Sequence, residues 1–178
     1  MMDDCNASAL IPRRKSSNGV LSPRLISTSN VPKLVMSEPA NADLHVIAQR
    51  FATALDNEDY ATAASMLAAD CVYETGTGQV RGAQAICNSY REASVWGRQN
   101  LDSLSYESQV GQLVEGEVAV VFTDHIQHKG ARHTYKCKQL LRFDDSGSVE
   151  RIQNVDMPGQ REALTAFFAS VGVARRGA

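Results

Sequence analysis

An acid, a phenol and an amide stand where a strand pattern calls for aliphatic side chains: Asp124, Tyr135 and Gln139. Val118, Val120, Phe122, Asp124 and Ile126 alternate with Ala119, Val121, Thr123, His125 and Gln127. Further on, Tyr135, Cys137, Gln139, Leu141 and Phe143 alternate with Thr134, Lys136, Lys138, Leu140 and Arg142. Strand side chains point to opposite faces with period two, so the first set of each run shares one face, and that face is mostly apolar. A buried polar group without a partner is costly. The three groups therefore belong either to a structural network or to the lining of a ligand pocket. A desolvated Asp124 would have a raised pKa and act near neutral pH, which is what proton transfer needs. The bland alternative is an acid held by Tyr135 and backbone, or one at a frayed strand end.

Other chemistry-bearing residues read as structural. His125 and His128 form an HxxH pair, but i and i+3 of a strand face opposite sides, so no metal site is expected. Gly76-Thr77-Gly78 lacks the Lys-Ser/Thr of a phosphate loop and reads as a turn. Cys137 has no activating base in sequence and reads as core. Lys136, Lys138 and Arg142 form a solvated or dimer-facing stripe on the outer face.

The elements that hold these groups follow from periodicity. Strands are expected near Leu101–Val110, Glu117–His128 and Arg132–Phe143, with a tight turn at Lys129-Gly130. That turn sets Asp124 opposite Tyr135, Phe122 opposite Cys137 and Val120 opposite Gln139, and lets Asp124 and Tyr135 hydrogen-bond across strands. A turn longer by a residue or two would shift the register. Before them, Leu44, Ile47, Ala48, Phe51 and Leu55 mark a first helix, broken by Asn57-Glu58-Asp59. A short second helix carries Tyr60, Ala64, Leu67 and Ala68. Asp70 to Thr75 is a strand, and a third helix follows Gly82, with Ala83, Ile86, Tyr90 and Ala93 on one face and Gly97 at its end. The last strand runs from Val149 to about Asp156, and Pro158 suits the first turn of a final helix carrying Leu164, Phe167, Phe168 and Val171. Helices first and then a run of strands signal an α+β fold.

Residues 1–39 are rich in Ser, Asn and Pro, without sustained periodicity, and read as a disordered or loosely docked tail. Met36 is a possible true start, motivated by the change of composition there. Residues 40–174 make one domain, and 175–178 a short C-terminal tail. A net charge of −2 argues against non-specific nucleic-acid binding. Cys5, Cys71, Cys87 and Cys137 show no CxxC spacing and read as reduced thiols of a cytoplasmic protein. No apolar run reaches transmembrane length, and Asp3 and Asp4 sit where a signal peptide carries positive charge.

The run RFATALDNEDYATAASMLAADCVYETGTGQVRGAQAICNSY resembles the start of the nuclear transport factor 2-like superfamily. Glu117 to Phe143, then Gly147 onward, resembles the hairpin and last strand of ketosteroid isomerase within it. The resemblance spans about Asp43 to Val173. It implies a cone, in which a curved antiparallel sheet and helices wrap a pocket, and homodimers formed through the outer sheet face. The isomerase residues do not carry over. Its oxyanion-donating phenol falls on Phe51, its Asp base on Thr75 and its protonated acid on Gln139, so that mechanism is rejected.

The same comparison implies that Tyr73, Thr75, Asp124, His133, Tyr135, Gln139, Asn154 and Asp156 point into the cone, with Phe122 beside them. Trp96, at the end of the third helix, either closes the mouth of the cone or belongs to the core. SnoaL-like polyketide cyclases use an Asp near the end of the sheet as general acid/base, and Asp156 is similarly placed. Its alternative is an N-cap for the final helix. Limonene-type epoxide hydrolases use an Asp–Arg–Asp set, but no arginine points inward here. A dehydratase branch uses two inward histidines with tyrosines, of which His133 and Tyr135 match part. The expectation is a protein that binds a small apolar, oxygenated molecule, without cofactor or metal. It is either an isomerase or cyclase using Asp156 or Asp124, or a non-catalytic binding or dimerisation module.

Overall fold

The computed structural model describes residues 41–174; the expectations for residues 1–39, for Met36 and for residues 175–178 fall outside them. The element order is α1 (Asn41–Asp56), α2 (Tyr60–Ser65), β1 (Leu67–Thr75), β2 (Gly78–Arg81), α3 (Ala83–Asn100), β3 (Ser103–Val114), β4 (Glu117–His128), β5 (Ala131–Phe143), β6 (Val149–Val155) and α4 (Gln160–Val171). The six strands form one sheet in the order β2-β1-β6-β5-β4-β3. All its pairs are antiparallel except β1 with β6, so the expected antiparallel sheet carries one parallel pair. Register shifts within β1–β6, β3–β4 and β5–β6 interrupt the ladders, and such bulges bend a sheet. Among the described residues no helix is long and apolar enough to cross a membrane.

The β4–β5 hairpin has the register read from sequence: Asp124↔Tyr135, Phe122↔Cys137 and Val120↔Gln139. Its two-residue turn puts Lys129 at φ 50° and Gly130 at φ 79°, the left-handed pair that matches strand twist. The inner faces of β3–β6 and β1 are buried beneath α1, α3 and α4. Ala48, Phe51 and Leu55 come from α1, Ile86, Tyr90 and Ala93 from α3, and Leu164, Phe167 and Phe168 from α4. Lys129 Nζ donates to the Val171 carbonyl at 2.8 Å, so the hairpin tip caps the end of α4.

Several boundaries differ from the sequence reading. Leu67 and Ala68 belong to β1 instead of α2, because Leu67 pairs with Val149 of β6. The Gly76–Gly78 turn leads into β2, a four-residue edge strand too short to show alternation. α3 does not stop at Gly97 but runs to Asn100. Gly97 is buried against β3, where a Cβ would lie 2.4 Å from Leu104 Cδ2, so its role is close packing. β3 extends past Val110 to Val114. α4 starts after Gly159, at φ 79°, two residues later than Pro158.

Candidate functional site

The inner face of the sheet is arranged in rungs. Tyr106, Asp124 and Tyr135 form one rung across β3, β4 and β5. Ser108, Phe122 and Cys137 form the next, and Val110, Val120, Gln139 and Asn154 the one beyond. His133, paired with Ile126, lies on the other side of the Asp124 rung.

The Gln139 end is a closed polar network. Gln139 is fully buried; its Oε1 accepts from Tyr90 Oη at 3.1 Å and its Nε2 donates to Tyr73 Oη at 3.3 Å. The two phenol rings stack with centroids 5.6 Å apart. Burial pushes the Tyr90 phenol well above its ordinary range, so it stays neutral and donates. Thus the amide that aligns with the isomerase acid bridges two tyrosines, and Phe122 is buried on the next rung.

The Asp124 rung is different. Asp124 is 7% exposed, and its Oδ1 has no hydrogen-bond partner among the described residues. The bond expected from Tyr135 therefore does not satisfy this oxygen, although the two residues are opposite. Burial, with the nearby Asp56 charge, pushes the Asp124 carboxyl up to about 7. On the same rung the Tyr106 hydroxyl is buried and makes no well-formed hydrogen bond among the described residues; burial raises its pKa, and the nearby Ser94 hydroxyl only partly offsets this. Asp56, the last residue of α1, receives Ser108 Oγ on Oδ2 at 2.5 Å, while its Oδ1 is buried and unpartnered. Burial raises Asp56 too, and the Ser108 bond partly offsets this. An Asp, a phenol and a second Asp, each with an unmet hydrogen-bonding atom, can hold a polar group of a ligand and move a proton.

The other expected residues divide. His133 stacks on Phe167 at 5.1 Å, its buried Nε2 has no partner among the described residues, and burial lowers its pKa, which favours the neutral ring. Asn154 Oδ1 is likewise buried and unpartnered. Trp96 packs edge-on against Phe168 of α4, with centroids 6.0 Å apart. Thr75 is not a pocket group: its hydroxyl donates to the Gly78 carbonyl at 3.1 Å and closes the β1–β2 turn. Asp156 is not inside the cone. Its side chain is 71% exposed, and Oδ1 lies 2.6 Å from Arg161 Nη2. It is not the cap of α4 either, because the helix begins late and Gly159 occupies that position without a side-chain bond. His125 and His128 go to separate partners, Glu107 at 3.2 Å and Asp102 at 3.3 Å.

Asp56, Tyr106 and Ser108 were not singled out in the sequence. Tyr106 and Ser108 did carry a signal, since they alternate in period with Leu104 and Val110 on the buried face of β3. Asp56 follows Ala52 by four residues, on the buried side of α1, but stands beside three polar residues that read as a helix break.

The family model described as SnoaL-like domain matches residues 48–152. No curated protein matches the chain. Among solved structures, a polyketide cyclase so described from Xanthomonas campestris is 16% identical, with 74% of this chain and 98% of that chain covered and a TM-score of 0.54. TerC, co-crystallised with polyporic acid, is 13% identical over 72% of this chain and 97% of that chain, with a TM-score of 0.53. An LEH-like epoxide hydrolase of M. tuberculosis is 21% identical over 74% of this chain and 99% of that chain, with a TM-score of 0.48. The likeness to the cyclase and to TerC shows a shared α+β cone.

Proposed function

The chain belongs to the SnoaL-like domain family, and from that premise we propose that its cone binds a small apolar molecule carrying a carbonyl, with Asp124 transferring a proton to or from it. The observation that carries this reading is the Asp124 carboxyl: buried, with one oxygen unpartnered, on an inner-face rung beside the buried Tyr106 hydroxyl. Leaving an acid in such a place costs stability, and sites that move protons keep such groups. Tyr106 donates to the carbonyl oxygen, His133 orients the polar end, and Phe122 and Tyr135 contact the apolar body; Asn154 is left out, because it stands on the Gln139 rung, two rungs from Asp124. Asp156 is left out, because it is exposed and held by Arg161. Thr75 is left out because its hydroxyl serves a turn. The reaction type is isomerisation or ring closure through an enol, with no metal or cofactor required.

The test uses 2-tetralone, an apolar ketone with activated α-hydrogens, incubated with the protein in D2O. Mass spectrometry then follows deuterium uptake. Wild type accelerates uptake over buffer, and Asp124→Asn loses about 100-fold or more of that acceleration. Equal rates in the two proteins would sink the assignment.

A second reading, a binding module without turnover, is favoured by the closed Tyr73–Gln139–Tyr90 network, in which buried polar groups of the inner face serve packing. Under it 2-tetralone binds without deuterium uptake. The proposal includes a homodimer through the outer sheet face, where Ala119, Leu140 and Val121 follow the Glu117–Arg142 ion pair along the β4–β5 ladder. Light scattering after size exclusion tests it, and a monomer at micromolar concentration would exclude it. A cytoplasmic location goes with the reading of the cysteines as reduced thiols.

A further inference from the structure

We propose that Asp56, at the end of α1, is the base that works with Asp124 as acid in one site: Asp56 takes a proton from the carbon beside the ligand carbonyl while Asp124 gives its proton to the carbonyl oxygen. This rests on the reading that Asp124 transfers a proton, and adds its direction and its partner. The step balances. The C–H electron pair becomes the C=C bond of the enol, and the C=O π pair takes up the Asp124 proton. Asp56 ends protonated and Asp124 ionised, so the reverse step, at the same or another carbon, restores the pair without a co-reactant.

The geometry places both acids over one patch of sheet. Ser108 Oγ, which holds Asp56 Oδ2 at 2.5 Å, belongs to the rung next to that of Tyr106 and Asp124. Ser108 pairs with Phe122, and Asp124 is the next inward residue on β4. Diagonal neighbours of this kind lie about 7–8 Å apart at Cα. The Ser108 bond thus brings Asp56 to the sheet beside the Asp124 rung, near enough for the Asp56 charge to act on Asp124. Asp56 Oδ1 and Asp124 Oδ1 are the oxygens left unpartnered.

The position of Asp56 is poor for stability. The C-terminal end of a helix repels anions, and the last turn of α1 carries no basic residue. Burial raises its pKa further. The two acids nevertheless differ. Ser108 stabilises an ionised Asp56, whereas Asp124 has burial and the Asp56 charge against ionisation and is raised to about 7. Environments that push two carboxyls apart assign one as base and the other as acid. Tyr106 from β3 and Tyr135 from β5 share the Asp124 rung. Glu58 and Tyr60 bear on Tyr106, and Glu58 is engaged by Arg98 at 2.9 Å. Glu107, the acidic neighbour of Asp56, is paired with His125.

The experiment is the pH profile of 2-tetralone deuterium uptake from pH 4.5 to 9 in wild type, Asp56→Asn, Ser108→Ala and Asp124→Asn. The expected wild-type profile is a bell, rising as Asp56 ionises and falling to half near pH 7 as Asp124 loses its proton. Asp56→Asn loses about 100-fold or more at the optimum, while still binding 2-tetralone by Trp96 fluorescence. Ser108→Ala keeps Asp56 but moves the rising limb up by about one pH unit, the loss of a hydrogen bond to a charged group. A wild-type profile that rises through pH 7 to a plateau keeps Asp124 as the proton-transfer group and overturns Asp56 as base. So does an Asp56→Asn rate within twofold of wild type, or an unmoved limb in Ser108→Ala. A wild type without uptake overturns both readings.

Discussion

Asp124→Asn separates the cost of keeping an acid in the cone from everything else that pH does to the fold. Burial and the Asp56 charge push Asp124 from its ordinary 3.8 up to about 7. Between those values the folded protein still holds a proton that the unfolded chain has released. Stability therefore falls as pH rises through this window, and the loss is complete just above pH 7. At about 1.4 kcal/mol per pH unit, the whole window is worth about 4 kcal/mol. An asparagine has nearly the same shape and does not titrate. The stability difference, variant minus wild type, is expected to move in favour of the variant by about 3 kcal/mol between pH 5 and pH 8.5. Glu58 and Asp144 have the opposite sign. In each, burial is outweighed by hydrogen bonds, from Arg98 and Ser94 in one and from Ser146 and Ser148 in the other. Both contribute stability that is lost as pH falls, and both cancel in the difference. Urea unfolding followed by circular dichroism reads the effect. With a slope of about 2 kcal/mol per molar, the gap between the two midpoints shifts by more than about 1 M. A gap that stays constant from pH 5 to pH 8.5 would refute the reasoning, since Asp124 would then be no harder to ionise folded than unfolded.

Gln139→Leu is expected to cost about 2–4 kcal/mol in urea unfolding at pH 7, because Tyr90 loses its acceptor and Tyr73 loses a donor in a fully buried place; a loss below 1 kcal/mol would contradict the network. Asp156→Asn is expected to change stability by less than about 1 kcal/mol, the worth of an exposed ion pair, and to leave 2-tetralone exchange unaltered. A large loss of exchange would return Asp156 to the site. Burial pushes the Cys71 thiol up to about 12 and the Cys87 thiol up to about 11. Both are expected to resist iodoacetamide at pH 8 in the native protein and to react in urea, as peptide mass mapping would show; rapid native labelling of either would contradict the packing.

Much of the hairpin was legible because its information is local. Period-two alternation and a two-residue turn with Gly130 at its second position are enough to set Asp124 against Tyr135 and Val120 against Gln139. The faces of α1 and α3 were legible for the same reason: Ala48, Phe51, Leu55, Ile86, Tyr90 and Ala93 recur at helical spacing and are all buried. Short or context-dependent pieces were not. β2 has four residues, too few for a period, and Gly97 reads as a helix stop until Leu104 is seen against it.

The sequence by itself determined an α+β chain, an inner sheet face carrying Asp124, Tyr135 and Gln139, and the absence of the isomerase phenol and base at Phe51 and Thr75. Whether a polar group on that face is satisfied depends on atoms brought from distant segments, and only the tertiary structure decided it. Tyr90, 49 residues away, and Tyr73, 66 residues away, close the Gln139 network. Asp56, 52 residues from its partner Ser108, brings a second acid to the Asp124 end. Asp156 is exposed and ion-paired with Arg161 of α4, a helix whose first turn comes too late for Asp156 to cap it. Periodicity says which way a side chain points; desolvation and partnership, which set what it can do chemically, are properties of the packed whole.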